Sequence, residues 1–319
     1  MEIQKQLLNK FGEFLKNSRV SEIIINDPGQ FWVEIDGSFL CVKDELITDY
    51  YLKQLFQVIA NSNQQELNSK NPLLSGSLHD GSRIQLVIPP VSQFHSMAIR
   101  RKKVTNMLLL DHFPENFFKF KKKDIEQDTQ LTKLYAERNF KEFLALAVKT
   151  KKNIVVSGGT STGKTTLLNA LIQEIHSESR IISLEDTREL DLSNHLNSLS
   201  LIAKKGEGGS TPTQMVDLVQ ASLRLRPDRI LLGEIRGKEI LDFLGAASTG
   251  HEGSMTSIHA DSTQRAFMRM KQLYKLNNVP SMTDENILEE IHDVVDVIVQ
   301  LKKGACGRYI SDIYYKGEK

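Results

Sequence analysis

The stretch Gly158-Gly159-Thr160-Ser161-Thr162-Gly163-Lys164-Thr165 decides how the rest of the chain is read. It fits G-x-x-x-x-G-K-[ST]. The apolar run Ile154-Val155-Val156 precedes it, and a helical pattern, Thr165 to Ile175, follows. Glycines at both ends let backbone N–H groups turn inward around phosphate oxygens. The following helix presents its positive end to the same anion. Lys164 then reaches the β- and γ-phosphates, and the Thr165 hydroxyl can ligate Mg2+. Gly158 to Thr165, with Thr166, are thus the expected cradle for the phosphates of a nucleotide.

Downstream, short apolar runs recur at Arg180 to Leu184, Ile230 to Leu232, Met255 to Ile258 and Val294 to Leu301. Helical patterns fall between several of them, as a parallel sheet with crossover helices requires. Gly304 to Gly307 reads as a hairpin turn, with Tyr309 to Tyr315 as the return strand.

A phosphate cradle needs a carboxylate at the end of a neighbouring strand. Glu234 ends the run Asp228-Arg229-Ile230-Leu231-Leu232-Gly233, where ligands of open α/β sheets sit. It is the expected group for polarising the attacking water or for holding Mg2+ through water. The second run ends in Glu185-Asp186-Thr187-Arg188-Glu189. Glu185 and Asp186 are candidate metal ligands there; the same acids also suit a helix N-terminus. His251 and His259 flank the strand Met255 to Ile258, with His259 at the nucleotide end. No Cys or His-Glu-x-x-His partner set accompanies them for zinc. A His pair sensing the γ-phosphate and a structural role remain the two readings.

Upstream, Ile3, Leu7, Leu8, Phe11, Phe14 and Leu15 form one face of an amphipathic helix. Strands are expected at Ile23 to Ile25, Phe31 to Ile35, Phe39 to Val42, Ile84 to Ile88 and Met97 to Ile99. Tyr51 to Ala60 reads as a helix capped at Thr48 or Asp49, and Leu74-Ser75-Gly76-Ser77 as a turn. The expected organisation is an α+β domain on an antiparallel sheet (1–105), a linker (106–139) and an α/β P-loop domain (140–319).

The chain of 319 residues leaves room for about two domains at ~150 residues each. Lys and Arg number 41 against 40 for Asp and Glu, which argues against a polyelectrolyte gripping the whole surface. The two cysteines, Cys41 and Cys306, show neither disulfide-framework nor metal-ligand spacing, so a reducing, cytoplasmic setting is expected. No apolar run is long enough for a signal peptide or a membrane span.

Four boxes in order carry a resemblance: the P-loop; Ile182 to Glu189; Arg226-Pro227-Asp228 to Gly233-Glu234-Ile235-Arg236; and Ser248-Thr249-Gly250-His251 to His259-Ala260. Together they resemble the traffic ATPases of type II and type IV secretion. The compact N-terminal part looks most like the type IV branch. Type II members typically add a four-cysteine zinc module, which two distant cysteines cannot make.

The resemblance implies a homohexameric ring, a RecA-like C-terminal domain, and ATP and Mg2+ bound between the two domains. It implies catalytic roles for Lys164, Glu189, Glu234 and His259. It also implies that N-terminal-domain arginines reach the nucleotide. The matching stretches are Asp80-Gly81-Ser82-Arg83-Ile84-Gln85 and Ser96-Met97-Ala98-Ile99-Arg100, giving Arg83 and Arg100. Implied partners are other ATPases and inner-membrane components of a secretion apparatus, with peripheral contact at the inner face of that membrane.

A pilus-retraction motor is an alternative within the same class. A nucleic-acid-binding protein or translocase is another, motivated by the basic groups Arg100 to Lys103, Lys119 to Lys123 and Lys149 to Lys152. The same groups suit anionic lipid. Arg224, Arg226 and Arg236 are further candidates for charge stabilisation across a subunit boundary.

Overall fold

The computed structural model describes residues 2–102, 125–204 and 213–318. The basic run Lys119 to Lys123, Lys103 and the first part of the expected linker lie outside the described residues.

The N-terminal part builds one six-stranded sheet from β1 (Val20–Ile25), β2 (Gln30–Ile35), β3 (Ser38–Lys43), β4 (Leu73–Ser77), β5 (Arg83–Val87) and β6 (Ser96–Arg100). The order is β3-β2-β1-β6-β5-β4, and every neighbouring pair is antiparallel. The run Ile23-Ile24-Ile25 is apolar throughout because both faces of the sheet are covered. Ile23 and Ile25 pack with Phe11, Leu52, Phe56, Met97 and Ile99 under the terminal helices and the helix Asp49–Ser62. Ile24 and Ala98, one residue out of phase, join the core of the C-terminal part instead. The helix is capped by Thr48, whose side chain accepts from the Tyr51 N–H. The expected turn at Leu74 to Ser77 is corrected: these residues form most of edge strand β4, paired with β5 from Leu73↔Val87 to Ser77↔Arg83. A Gly and two Ser gave no apolar alternation to read, but an edge strand needs only one good partner.

The C-terminal part carries β7 (Ile154–Gly158), β8 (Ile181–Glu185), β9 (Ser198–Ile202), β10 (Arg229–Leu232), β11 (Met255–Ile258), β12 (Val297–Gly304) and β13 (Gly307–Tyr315). Their order is β13-β12-β7-β11-β10-β8-β9, parallel except for the β12–β13 hairpin. Alternate residues again serve two cores. Ile154, Val156, Ile181, Leu231 and Val299 face one. Val155, Ile182, Ile230, Leu232 and Ile298 face the other. Each fully buried side chain of this kind contributes about 1.5–3 kcal/mol, which favours a sheet wrapped on both sides.

The helix Ile125–Ala136 lies within the stretch expected as linker. It belongs to the core that holds Ile154, Val156 and Val299: Leu131 is buried there, and Tyr135 packs on Phe140, Phe143 and Tyr315 while donating to the Ile313 carbonyl at 2.7 Å.

Polar groups stitch the two sheets together. The fully buried Arg180 guanidinium donates to Asn26 Oδ1 at 2.8 Å, to the Leu225 carbonyl at 2.9 Å and to Asn197 Oδ1. Burial pushes its pKa down to about 9. Arg226 donates to Glu34 through Nε at 3.1 Å and to Asp228 at 2.7 Å, with its guanidinium 5.3 Å from the Phe39 ring centre. The Ile202 N–H donates to the Val91 carbonyl at 2.8 Å.

Candidate active site

Thr160 to Thr166, Glu185, Asp186, Glu189, Glu234 and His259, all expected to act on nucleotide, line one cleft of about 390 Å3. It opens at the C-terminal ends of β7, β8, β10 and β11, where parallel topology places consecutive loops side by side. Thr187 and Leu190 from the loop after β8 and Arg236 from the loop after β10 line it as well.

The P-loop geometry explains its glycines. A Cβ on Gly158 would lie 2.4 Å from Thr162 Oγ1 and 3.0 Å from the Leu301 carbonyl of β12. Gly163 caps the helix Lys164–Ile172 in a left-handed conformation, φ +95°, that disfavours a side chain. Lys164 is almost wholly buried, with Nζ donating to the carbonyls of Gly158 at 3.0 Å and Gly159 at 3.1 Å. Burial pulls its pKa below the ordinary lysine value, opposed by the charge of Glu234.

His259 Nε2 stands 3.3 Å from Lys164 Nζ and 3.3 Å from Glu234 Oε1. Arg236 donates to Glu234 Oε2 at 2.9 Å and to Asp186 Oδ2 at 2.8 Å. The hydrogen bond to Glu234 raises the Arg236 pKa above its ordinary value. Arg236 is itself placed by Glu239, a buried carboxylate whose Oε1 accepts from the backbone N–H groups of Arg236 and Gly237. Sequence reasoning missed Glu239; an acid in the first turn of the helix Glu239–Ser248, three residues after Arg236, was the available signal.

The Thr165 hydroxyl donates to Glu189 Oε2 at 3.1 Å. Glu185, expected as a metal ligand, has its oxygens engaged: Oε1 accepts from the Glu189 and Leu190 N–H groups, both at 2.8 Å, and Oε2 from Ser183 Oγ at 3.3 Å. It is buried, and desolvation raises its pKa against those hydrogen bonds. Asp186 is held by Arg236.

The two histidines do not form a pair. His251 lies at the far end of β11, with Nδ1 3.2 Å from the Ala246 carbonyl, and does not line the cleft. Arg83 and Arg100 are exposed and directly opposite each other across β5 and β6. Neither lines the cleft, and Arg100 Nε bonds Glu22 Oε1 at 2.5 Å. Of Arg224, Arg226 and Arg236, expected at a subunit boundary, Arg236 lines the cleft, while Arg226 bridges the sheets. Arg308, which no motif singled out, does line it.

The family model described as "Type II/IV secretion system protein" matches residues 8–311. The type IV secretion system protein VirB11 of Brucella suis biovar 1 (strain 1330) is 33% identical over 314 residues, spanning 95% of this chain and 87% of that protein. The type IV secretion system protein PtlH of Bordetella pertussis (strain Tohama I) is 30% identical over 316 residues, 95% of this chain and 92% of its own. The crystal structure of the VirB11 ATPase from the Brucella suis type IV secretion system, in complex with sulphate, superposes with a TM-score of 0.91. It is 31% identical and covers 99% of this chain and 95% of that one.

Proposed function

The chain belongs to the type II/IV secretion system protein family and is a VirB11-like type IV secretion ATPase, and from that premise we propose how its own residues bind and hydrolyse ATP. The observation that carries the reading is the convergence of Lys164, Thr165, Glu189, Glu234 and His259 on a single cleft beside the P-loop.

The N–H groups of the P-loop and the Lys164 ammonium take the β- and γ-phosphates. The Thr165 hydroxyl and the Glu189 carboxylate, already within hydrogen-bond distance, are the oxygen donors that would hold Mg2+. Bound there, that ion would neutralise phosphate charge. Glu185 serves a different purpose in this reading: it fixes the loop that carries Glu189, which replaces the expectation of a direct ligand.

Glu234 orients the attacking water and takes its proton as the water oxygen bonds to the γ-phosphorus. The bond from that phosphorus to the bridging oxygen breaks, and ADP leaves. His259 and Arg236 hold the two carboxylate oxygens of Glu234 in place. Arg83 and Arg100 act on nucleotide only after a change in domain arrangement, since neither lines the cleft. In the proposal, that closure and its release after hydrolysis supply the motion a homohexameric ring transmits to inner-membrane components of a secretion apparatus.

Among the described residues no helix is long and apolar enough to cross a membrane. Glu234→Gln tests the chemical step. Phosphate release should fall about 10²–10⁴-fold while ATP affinity stays within about threefold. Unchanged turnover overturns the assignment. Electron microscopy with ATP should show six-fold rings, and a monomer throughout would remove the ring mechanism.

A further inference from the structure

The hairpin of β12 and β13 runs past the end of the sheet. Leu301 of β12 is the last residue in register with β7, opposite Gly158, and Lys302, Lys303 and Gly304 continue beyond it. The return strand brings Arg308 directly opposite Lys303. Two like charges facing each other on a ladder destabilise it unless something anionic offsets them. The hairpin overhangs the P-loop: Arg308 Nε donates to the Ser161 carbonyl at 3.1 Å. A Cβ on Gly163 would lie 3.1 Å from Arg308 Cδ, so the side chain lies against the loop at its last turn. Arg308 lines the same cleft as Lys164 and Thr165, and among the described residues no carboxylate lies within ion-pair distance of it. One of its five N–H donors is spent on Ser161, and four remain.

We propose that Arg308 is a nucleotide-phosphate-binding residue, a second cation supplied by the C-terminal hairpin to the polyphosphate held by Lys164. The proposal rests on the reading of the cleft as an ATP site and adds a ligand that the P-loop motif does not contain. The Ser161 contact aims the guanidinium, and the planar fork takes two phosphate oxygens where an ammonium would take one. The hairpin then tightens on the cleft whenever polyphosphate is present.

The test is equilibrium titration of ATP, ADP and inorganic pyrophosphate into the full chain and into Arg308→Ala, Arg308→Gln and Arg308→Lys. Arg308→Ala should weaken all three ligands about tenfold, the scale of one charge-assisted contact at an exposed site. Arg308→Gln keeps a donor for the Ser161 carbonyl but no charge, and it should bind as weakly as the Ala variant. Arg308→Lys should recover part of the loss. The dependence of log affinity on log salt should be shallower for Ala and Gln than for the parent chain.

Affinities within twofold of the parent for Arg308→Ala, or full recovery by Arg308→Gln, overturn the proposal. The second result would leave Arg308 as a brace for the loop. Lys164→Ala separates the two levels. If the parent binds ATP and Lys164→Ala does not, while Arg308→Ala binds normally, the ATP site stands and only the Arg308 proposal falls. If the parent binds no ATP, both fall.

Discussion

His259 Nε2 lies 3.3 Å from Lys164 Nζ, and the same nitrogen lies 3.3 Å from Glu234 Oε1. One imidazole thus touches both the group that holds phosphate and the acid proposed to act on water. β11 makes this possible. It lies between β7, which feeds the P-loop, and β10, which leads to Glu234, so a residue just past its C-terminal end reaches both.

Removal of either end of this contact should therefore have different kinetic signatures. Lys164→Ala is expected to lower phosphate release at least about 10²-fold, with ATP affinity falling too, because the ammonium meets bound and reacting phosphate alike. His259→Ala should lower kcat about tenfold or more and leave KM within about threefold, because His259 orients Glu234. Steady-state phosphate release across ATP concentrations checks both. A His259→Ala enzyme altered in KM alone would place the imidazole on the substrate instead.

Glu185 gives a sharper discrimination. Its Oε1 accepts two backbone N–H groups from the loop that carries Glu189. Glu185→Gln keeps an acceptor oxygen of the same reach, so turnover should stay within about threefold of the parent. Glu185→Ala frees the loop and should cost about tenfold or more, with 1–3 kcal/mol of stability for each N–H left unpaired. Measuring Mg2+-dependent turnover of both variants decides the matter: equal, severe losses would make Glu185 a direct ligand.

The pattern of legibility follows from what sequence spacing encodes. The P-loop was readable because eight consecutive residues carry its chemistry, and Glu234 because it ends an apolar run. The grouping of Lys164 with His259, 95 residues apart, follows from β11 pairing with β7 and not from spacing. Strand β4 was missed because Ser75, Gly76 and Ser77 have neither apolar alternation nor β-propensity, and only pairing with β5 makes them a strand. Arg308 gave no signal, because nothing in Gly307-Arg308-Tyr309 states that its hairpin reaches the P-loop. Glu185 was legible as an acid at a strand end, but its use was not, since backbone N–H groups as partners leave no mark in composition.

Asp284 makes a pH prediction away from the cleft. It sits in the first turn of the helix Asp284–Val294, with Oδ2 2.9 Å from Lys271 Nζ and Oδ1 2.6 Å from Lys275 Nζ. The hydrogen bonds to Lys275 and Lys271 hold its pKa down at about 2. The value in an unfolded chain is about 3.9. A carboxylate depressed on folding stabilises the fold above the unfolded pKa and loses that contribution as pH falls through the folded one. Asp284→Asn should therefore lower the urea midpoint slightly at pH 7, with the gap shrinking below about pH 4 and closing near pH 2. High salt at pH 7 should narrow it as well. A gap constant across that range would show that charge is not its cause.

Arg226 tests whether the two sheets are energetically joined. Its guanidinium bonds Glu34 of the N-terminal sheet and Asp228 beside β10, and the Glu34 side chain is only 8% exposed. Two effects compete in Arg226→Ala. The variant is spared the desolvation of a half-buried cation, but it leaves Glu34 charged, nearly buried and close enough to Glu22 to repel it. The second effect is larger when one partner of a buried pair is removed, so a loss of about 3 kcal/mol is expected. Glu34→Gln keeps the Ser21 contact and removes the stranded charge, so the double variant should regain part of that loss. Chemical denaturation of the full chain and the two single and one double variants gives the coupling, expected above about 1 kcal/mol for groups in direct contact. A coupling near zero would mean that the bridge is incidental. The sheets would then be held by apolar packing of Ile24 and Ala98 and by Arg180, whose removal should cost more than that of Arg226 because Arg180 is fully buried.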